Sequence, residues 1–579
     1  MGFSKPLFSW FFLAASPLNL AAEESVESET PPAIEVPSQV TELIQFLRSN
    51  DVLIPDWPET FAFSTTYNAE SPVPPMCYTR HEAKFNPCYV CHQDPKRFFE
   101  NLQSDFGLQA AYDFSDQGFA NHWLNLFEDR SDRVAKISDH EILDYIREDN
   151  YSELSKRLRS RNFEGWIPDL KDLELAGDAF DDDGFAKDGS GWVAFNYKPM
   201  PSTFWPANGA TDDVMIRLPE RFRTLRGGGY SRDVYAANLA LLELGIKRYD
   251  SIGSLPVNEE IVEVDLDGDG ELGVATTVLR RSHFVGAADK HEVFDTMYPK
   301  GTEFLHTVRY IDVNGQGEVC HSKRMKEVRY MVRNQERRRI QAADHYREEQ
   351  LDKEAGKLPS ARPFVAERAL ESETGWLISG FIEGHGGRLR ANTFEETFAC
   401  MGCHNSVGST IDKTFSFPRK IDGARGWGYI NLKGMPDAPN VGETRGEIAT
   451  YLDRVGGGSE FRHNGEMVER WFTPEGQLDF GAVAAAKDVY ELITPSVEKA
   501  MELNKAYKVI VEDQDFVFGK DPTILPPKNV IKLVDPDDSP TLPAEKQFRW
   551  DIRLDWNLGF KQRTRTQTQS RESAAVILE

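Results

Sequence analysis

The chain has 579 residues, of which 40% are hydrophobic and 28% charged, and this composition is typical of a globular protein with several domains. Its 93 acidic and 67 basic residues give a formal net charge of -26, which excludes nucleic acid as an expected partner because phosphate contacts need a basic surface. We expect an α+β, multi-domain and loop-rich protein.

The first 22 residues have the pattern of a secretory signal peptide. A positive charge at Lys5 precedes the apolar run 6–20, which is too short and too interrupted to span a bilayer, and Ala22 marks a cleavage point. No cysteine follows at which the new terminus would be lipidated. The segment 23–39 is acidic and contains prolines, so we expect a disordered leader. The sequence predicts a periplasmic or secreted protein without a membrane span.

The segment 40–164 contains the pattern Cys88-Tyr-Val-Cys91-His92, which is the attachment motif of a c-type haem. Two cysteines at this spacing reach the two vinyl groups of one porphyrin, and the adjacent histidine ligates the iron. Most of the rest of this segment has a helical pattern. The candidates for the second axial ligand of this haem are His81, His122 and His140.

The segment 165–320 is predicted to contain short strands and one clear helix, which Ser231 opens and Gly245 closes. The segment 321–357 is predicted to be a long basic helix, because eight Lys or Arg residues lie between Lys323 and Arg339. Its basic face would contact solvent, acidic neighbours or haem propionates. Two cysteines outside the haem motifs, Cys77 and Cys320, could form a disulfide in an oxidising compartment.

An acidic turn with Asp265, Asp267 and Asp269 lies between two predicted strands at 260–264 and 272–278. The spacing of the three aspartates matches the first half of a calcium-binding loop. Thr276 occupies the position where such loops have a glutamate. The sequence is therefore compatible with two interpretations of this turn, a structural calcium site and a solvated acidic turn.

The segment 375–519 contains a second attachment motif, Cys400-Met-Gly-Cys403-His404, which a helix capped by Thr393 should approach directly. Met435 follows in a loop before proline, and a helix with a capping box then begins at Thr444. This order resembles the small single-haem cytochromes c, and the resemblance implies Met435 as the sixth iron ligand. The reserve candidates are His463 and Met467. Residues 520–579 comprise a Pro/Asp-rich segment and a polar tail, of which 520–546 and 561–579 should lie on the surface or be disordered.

With its two motifs, the chain resembles the dihaem c-type cytochromes. The resemblance implies two covalently bound haem c groups in two mainly helical, cytochrome-c-like regions around a strand-containing middle. It further implies an exported protein that carries electrons between redox partners in the cell envelope, or alternatively a dihaem peroxidase or oxygenase with one five-coordinate haem. No catalytic residue is assigned. The remaining interpretation of either motif is a zinc or redox cysteine pair followed by an incidental histidine.

Overall fold

The computed structural model of this protein describes most of the chain between residues 67 and 565. The predicted signal peptide and leader, the ligand candidates His81 and His463, and the last part of the polar tail lie outside the described residues. The described residues are 67–79, 88, 91–92, 114, 118–201, 206–336, 339–357, 361–364, 366, 368–405, 407–455, 464–535, 549 and 551–565.

The strands of the described residues form a large antiparallel sheet and a separate two-stranded hairpin. The strands are β1 (Val193–Ala194), β2 (Thr211–Arg217), β3 (Ser251–Asn258), β4 (Val274–Leu279), β5 (Glu303–Val313), β6 (Val319–Arg333), β7 (Ala361–Phe364), β8 (Ala369–Ser372), β9 (Trp376–Glu383) and β10 (Leu389–Ala391). The order across the large sheet is β1-β2-β5-β6-β9-β8-β7, with β10 paired to β9. Strands β3 and β4 form the hairpin.

Helices occur before the first strand, between the strands and after the last strand. The α-helices are α1 (Ser131–Val134), α2 (Asp139–Arg147), α3 (Leu154–Ser160), α4 (Arg232–Lys247), α5 (Glu259–Val262), α6 (Arg339–Glu354), α7 (Phe394–Phe398), α8 (Met401–His404), α9 (Glu447–Val455), α10 (Gly465–Trp471), α11 (Phe480–Ala485), α12 (Val489–Ile493), α13 (Val497–Asp513) and α14 (556–565). Short 3-10 helices lie at Pro75–Tyr78, Leu124–Phe127, Leu173–Ala179, Pro206–Asn208, Glu220–Arg223, Gly286–Ala288, Phe417–Arg419, Gly423–Gly426 and Phe516–Phe518. The predicted α+β class is confirmed, as are helices within 98–160.

Both faces of the sheet are buried, so its strands do not show a simple alternation of apolar and polar residues. All seven residues of β2 are buried. On one face, Val214 and Phe304 join a core that also contains helix α4. On the other face, Met215 and Leu305 pack against residues from helix α3 and the loops after it. The candidate site lies on the first of these faces.

Two of the predicted helices are confirmed with their caps. Helix α4 begins where expected, because the Ser231 side chain accepts a hydrogen bond from the backbone N–H of Val234. It continues past Gly245 to Lys247, and Gly245 instead allows a close approach, since a Cβ there would lie 2.7 Å from the Phe294 carbonyl oxygen. Helix α7 has the expected capping box of Thr393 and Glu396.

The predicted basic helix at 321–357 is wrong for its first half, where β6 forms, and the helix begins only at Arg339. Three basic side chains of β6 pair with carboxylates, two of which come from other parts of the chain, so these side chains do not need a solvated helix face. The ion pairs are Arg324 with Glu383 at 2.9 Å, Arg329 with Glu327 at 2.9 Å and Arg333 with Asp412 at 3.2 Å.

The predicted helical region 375–519 starts with strands β9 and β10 rather than with a helix, so the sheet extends to within a few residues of the second motif. The helix predicted from Thr444 begins at Glu447. The Glu447 carboxylate does not cap that helix, because it accepts a hydrogen bond from the buried Arg419 guanidinium at 2.7 Å. At 260–264 the predicted strand is also wrong, because α5 forms there and β3 takes its place as the partner of β4.

Most described residues of the stretches 520–546 and 561–579 are exposed or partly exposed, as predicted, but single apolar side chains of the first stretch and most of the intervening residues 551–560 are buried. Val530 and Val534 pack with Trp123 in a buried cluster. Trp556, at the start of α14, is completely buried among the residues that follow the second motif. Apolar side chains spaced between prolines and aspartates therefore anchor this segment, although its average composition is polar.

Candidate functional site

The second C-x-x-C-H motif forms one helical turn that follows α7. The backbone N–H groups of Cys403 and His404 donate hydrogen bonds to the Cys400 carbonyl oxygen at 3.3 and 3.0 Å. The capping box at the start of α7 determines where this turn begins. Both thiols and the imidazole are thus presented from a single short element of the chain.

The His404 imidazole is held in one orientation by the backbone. Its Nδ1 lies 2.9 Å from the Lys413 carbonyl oxygen, and its ring meets the Phe415 ring edge-on at 5.6 Å. A carbonyl can only accept, so Nδ1 carries the proton and Nε2 keeps its lone pair. The pKa of His404 is lowered to about 4, mainly by burial, while the hydrogen bond with the Lys413 carbonyl oxygen opposes the shift and the charge of Arg329 adds to it. The ring is therefore neutral at pH 7, as a metal ligand must be.

Cys400, Cys403 and His404 line a cavity of about 250 Å³. The cavity is lined by residues of the sheet and by residues around the second motif. The sheet contributes Asp212, Val214, Phe304, His306, Arg329, Tyr330, Met331, Ile378 and Ser379. Helix α7 contributes Thr397, and the chain after α7 contributes Ala399, Thr414, Phe415, Ser416, Phe417 and Arg419. Most of its lining is apolar, which is typical of cofactor sites.

Three basic side chains line this cavity among the apolar ones. Arg329 and Lys520 both pair with Glu327, at 2.9 and 3.0 Å. Burial alone would raise the pKa of Glu327, but these two cations hold it well below its usual range. Arg419 is paired with the buried Glu447. Two cations share one carboxylate at Glu327, and Asp212 and Asp521 also line the cavity, so its polar lining contains charges of both signs.

The thiols around the cavity are protonated at neutral pH. Burial raises the pKa of Cys403 to about 11, with a smaller contribution from Cys400, whose own pKa burial also raises. Burial raises the pKa of Cys77 to about 12, and the nearby Cys403 adds to this shift. Cys77 therefore lies close to the second motif. Cys320 lies on β6 near Asp312, and the structure does not join Cys77 to Cys320.

The segment 67–79 completes the cavity from the N-terminal side. It contributes Ser71, Pro74 and Pro75 to the lining. A Cβ at position 402 would collide with the Pro72 carbonyl oxygen, so the glycine inside the motif permits this contact. The backbone N–H of Asn68 donates to the Glu395 carboxylate on α7. Sequence patterns did not indicate this packing, because the segment has no regular periodicity.

The first motif also forms a turn, in which the backbone N–H groups of Cys91 and His92 donate to the Cys88 carbonyl oxygen at 3.2 and 2.8 Å. Its two cysteines contact different apolar clusters. Cys88 packs near Tyr78, whereas Cys91 packs against the core that contains Met435. Of this motif, the described residues Cys88, Cys91 and His92 are not among those that line the cavity around His404.

The structure does not bring Met435 to His404. Met435 is buried in a core with Met467 and Trp471, and neither methionine lines the cavity of the second motif. Among the ligand candidates for the first motif, His140 is exposed on α2 and pairs with Asp144 at 3.0 Å. The residue that sequence reasoning did not select is His306, which the register of β5 places in the cavity.

The acidic turn brings together Glu259, Asp265 and Asp267, whose oxygens lie within 4.8 Å of one another. Asp269 is outside this group, and its carboxylate accepts from the backbone N–H of Glu271 at 2.8 Å. Glu259 accepts from the backbone N–H groups of Leu266 and Gly273, at 2.6 and 2.9 Å. The sequence pattern missed Glu259 because it precedes the turn. Calcium binding here stays a prediction.

The comparisons with known proteins identify the family. A family model described as "-like lipoprotein" matches residues 61–491, which is well over half of the chain. The chain therefore belongs to this lipoprotein family. An uncharacterized lipoprotein of Aquifex aeolicus (strain VF5) is 29% identical to this chain over 520 residues, and the match covers 79% of the chain and 86% of the relative. No solved structure matches the chain.

The family membership corrects the interpretation as a dihaem c-type cytochrome, which is wrong. The matching family is a lipoprotein family, and the similar protein is described only as a lipoprotein, so neither supports an electron carrier, a peroxidase or an oxygenase. In the part of the chain that the structure describes, the region of the second motif is not mainly helical at its start, because strands β9 and β10 precede the short helix α7 that leads into the motif. Neither description names a cofactor, so the residues of the two motifs have to be judged by their own geometry.

As a member of a lipoprotein family, the chain is assigned to the exported proteins. None of the helices within the described ranges is both long enough and apolar enough to cross a bilayer.

Proposed function

We propose that this lipoprotein-family protein is a haem-binding protein of the cell envelope, located in the periplasm or outside the cell. The haem would be attached covalently to Cys400 and Cys403, with His404 as its iron ligand, in the cavity between the sheet and α8. The observation that carries this proposal is the contact of His404 Nδ1 with the Lys413 carbonyl oxygen at 2.9 Å, because it leaves Nε2 able to ligate a metal.

The lining of the cavity fits an anionic porphyrin. The apolar lining suits the ring, and Arg329 and Lys520, which share the Glu327 carboxylate, could contact the propionate groups. When bound, the haem would supply an iron that His404 could ligate. The residues of this chain would exclude water from the ring, orient the imidazole and offset the charge of the propionates.

The other interpretations of the motif fit these residues less well. A reactive C-x-x-C pair has a lowered thiol pKa, whereas the pKa of both cysteines here is raised. A zinc site of this kind needs four ligands in close contact. The described residues contain a group of three such ligand atoms at Glu259, Asp265 and Asp267, and they contain none around Cys400.

A second haem at Cys88, Cys91 and His92 stays a prediction of the sequence motif. The proposal for the second motif does not depend on it, because the lining of the cavity around His404 does not use these residues.

The test is covalent haem in the exported full-length chain, produced in a host that attaches haem c. We expect a haem-stained band after denaturing electrophoresis and an intact mass increased by the mass of haem. The double variant Cys400→Ala/Cys403→Ala should lose one haem, while Cys320→Ala, a cysteine on β6 outside both motifs, should keep it. Wild-type protein without added mass, or a double variant that retains every haem, would overturn the proposal. Separation of periplasmic, membrane and extracellular fractions tests the location.

A further inference from the structure

His306 and His404 line the same cavity, one from strand β5 and the other from the turn of the second motif. On the sheet side, His306 of β5 is directly paired with Val214 of β2 and with Arg329 of β6. Directly paired residues of an antiparallel sheet project to the same face, and all three of these residues line the cavity. His404 projects from the turn of the second motif.

The strand partner of His306 lines the same cavity as the second motif. Arg329 is directly paired with His306, and both line the cavity together with Cys400, Cys403 and His404. The row of the sheet that contains His306 therefore borders the cavity of the second motif.

A carboxylate accompanies the His306 ring. Its Nε2 lies 3.5 Å from Oδ2 of the buried Asp212, and that carboxylate also accepts a hydrogen bond from the Tyr197 hydroxyl. An imidazole whose one nitrogen faces a carboxylate is the usual arrangement of a metal-bound histidine, because the carboxylate sets the ring orientation and raises the basicity of the other nitrogen. His404 has the equivalent support from the Lys413 carbonyl oxygen.

We propose that His306 is the second axial ligand of the haem held by Cys400, Cys403 and His404, so that the iron is closed on both faces by imidazole. This inference rests on the proposed haem site. Two methionines, Met200 and Met331, also line the cavity and are the competing ligands. Met331 lies in the next row of the sheet, between Phe304 and Ile378, within the apolar core.

The experiment records the absorption and electron paramagnetic resonance spectra of the haem-loaded full-length chain. Spectra are recorded with both motifs intact and in a Cys88→Ala/Cys91→Ala background, so that the first motif adds no signal. We expect low-spin ferric iron in the wild type and its loss in His306→Ala, with recovery of the low-spin signal when imidazole is added. His306→Gln, which keeps the length and polarity near Asp212, should also lose the low-spin signal.

The controls separate the failure of this inference from the failure of the proposed haem site. Met331→Leu and the exposed His140→Ala should leave the low-spin signal unchanged. A haem-loaded His306→Ala protein that remains low-spin overturns the role of His306, and loss of the signal in Met331→Leu assigns the ligand to the methionine instead. A wild-type chain that contains no covalent haem overturns both the proposed function and this inference.

Discussion

The backbone N–H of Ser409 donates a hydrogen bond to the Cys91 carbonyl oxygen at 3.3 Å. Ser409 follows His404 by five residues, so this contact joins two motifs that are 312 positions apart in the sequence, 400 minus 88. The packing of Gly402 against Pro72 connects the N-terminal segment to the same place. Each motif forms its own helical turn, and residues close to the second motif contact the first motif and the segment before it.

The cap of α7 should contribute measurably to the stability of the second motif. Thr393→Ala removes the Oγ1 that accepts from the backbone N–H of Glu396 at 3.2 Å. We expect the free energy of unfolding to fall by about 1 kcal/mol, which is typical for loss of an N-cap side chain. Urea unfolding measures this change. Thr393→Ser keeps the acceptor and should restore most of the stability, so equal losses in both variants would show that the cap contributes nothing.

The buried His321 should make the stability depend on pH below neutrality. Burial lowers its pKa to about 4, and nearby Arg309 lowers it while Asp213 and Asp212 oppose the shift. In the unfolded chain a histidine titrates near 6.5, so between pH 6.5 and 4 the unfolded state binds a proton that the folded state does not. The contribution of His321 to unfolding free energy therefore falls as the pH decreases through this range, and it is constant above it.

His321→Gln should remove this contribution. Its unfolding free energy should fall less steeply than that of the wild type between pH 6.5 and 4, with a difference of up to about 1.4 kcal/mol per pH unit. Urea unfolding at pH 7, 6 and 5 gives the two slopes. The matched control is His283→Gln, an exposed histidine, which should follow the wild type. Parallel slopes for wild type and His321→Gln would contradict the prediction.

The acidic turn should depend on Glu259 for its stability. The Glu259 carboxylate is buried and accepts from three backbone N–H groups of the turn, those of Leu266, Asp267 and Gly273. Glu259→Gln leaves fewer acceptors for these donors, and we expect a loss of about 1–3 kcal/mol of unfolding free energy. Glu260→Gln, at an exposed neighbouring position, should have little effect.

The same variants test calcium at this turn. If the cation binds as the aspartate spacing predicts, added calcium raises the thermal midpoint of the wild type, a chelator reverses the rise, and Glu259→Gln reduces it. A thermal midpoint that does not change with calcium in the wild type would show that the turn is a solvated acidic loop. The loss of stability in Glu259→Gln without calcium is independent of that outcome.

Local patterns were sufficient where the interactions that stabilise an element are themselves local. Ser231 and Thr393 cap their helices as expected, because a cap needs only a side chain and a backbone N–H two or three residues later. Sequence patterns failed for β6, whose charged residues suggested a solvated helix. Its partners Glu383 and Asp412 lie far away in the sequence, so their ability to neutralise Arg324 and Arg333 was not visible.

The sequence by itself determined the two cysteine-histidine motifs, the mixed fold class and the composition of the acidic turn. Only the tertiary structure decided that Met435 lies in a separate core and that His306 faces the second motif. The physical reason is strand register, because a shift of one residue in β5 would move the His306 side chain to the opposite face of the sheet. That register depends on packing against both faces, which no single segment of the chain specifies.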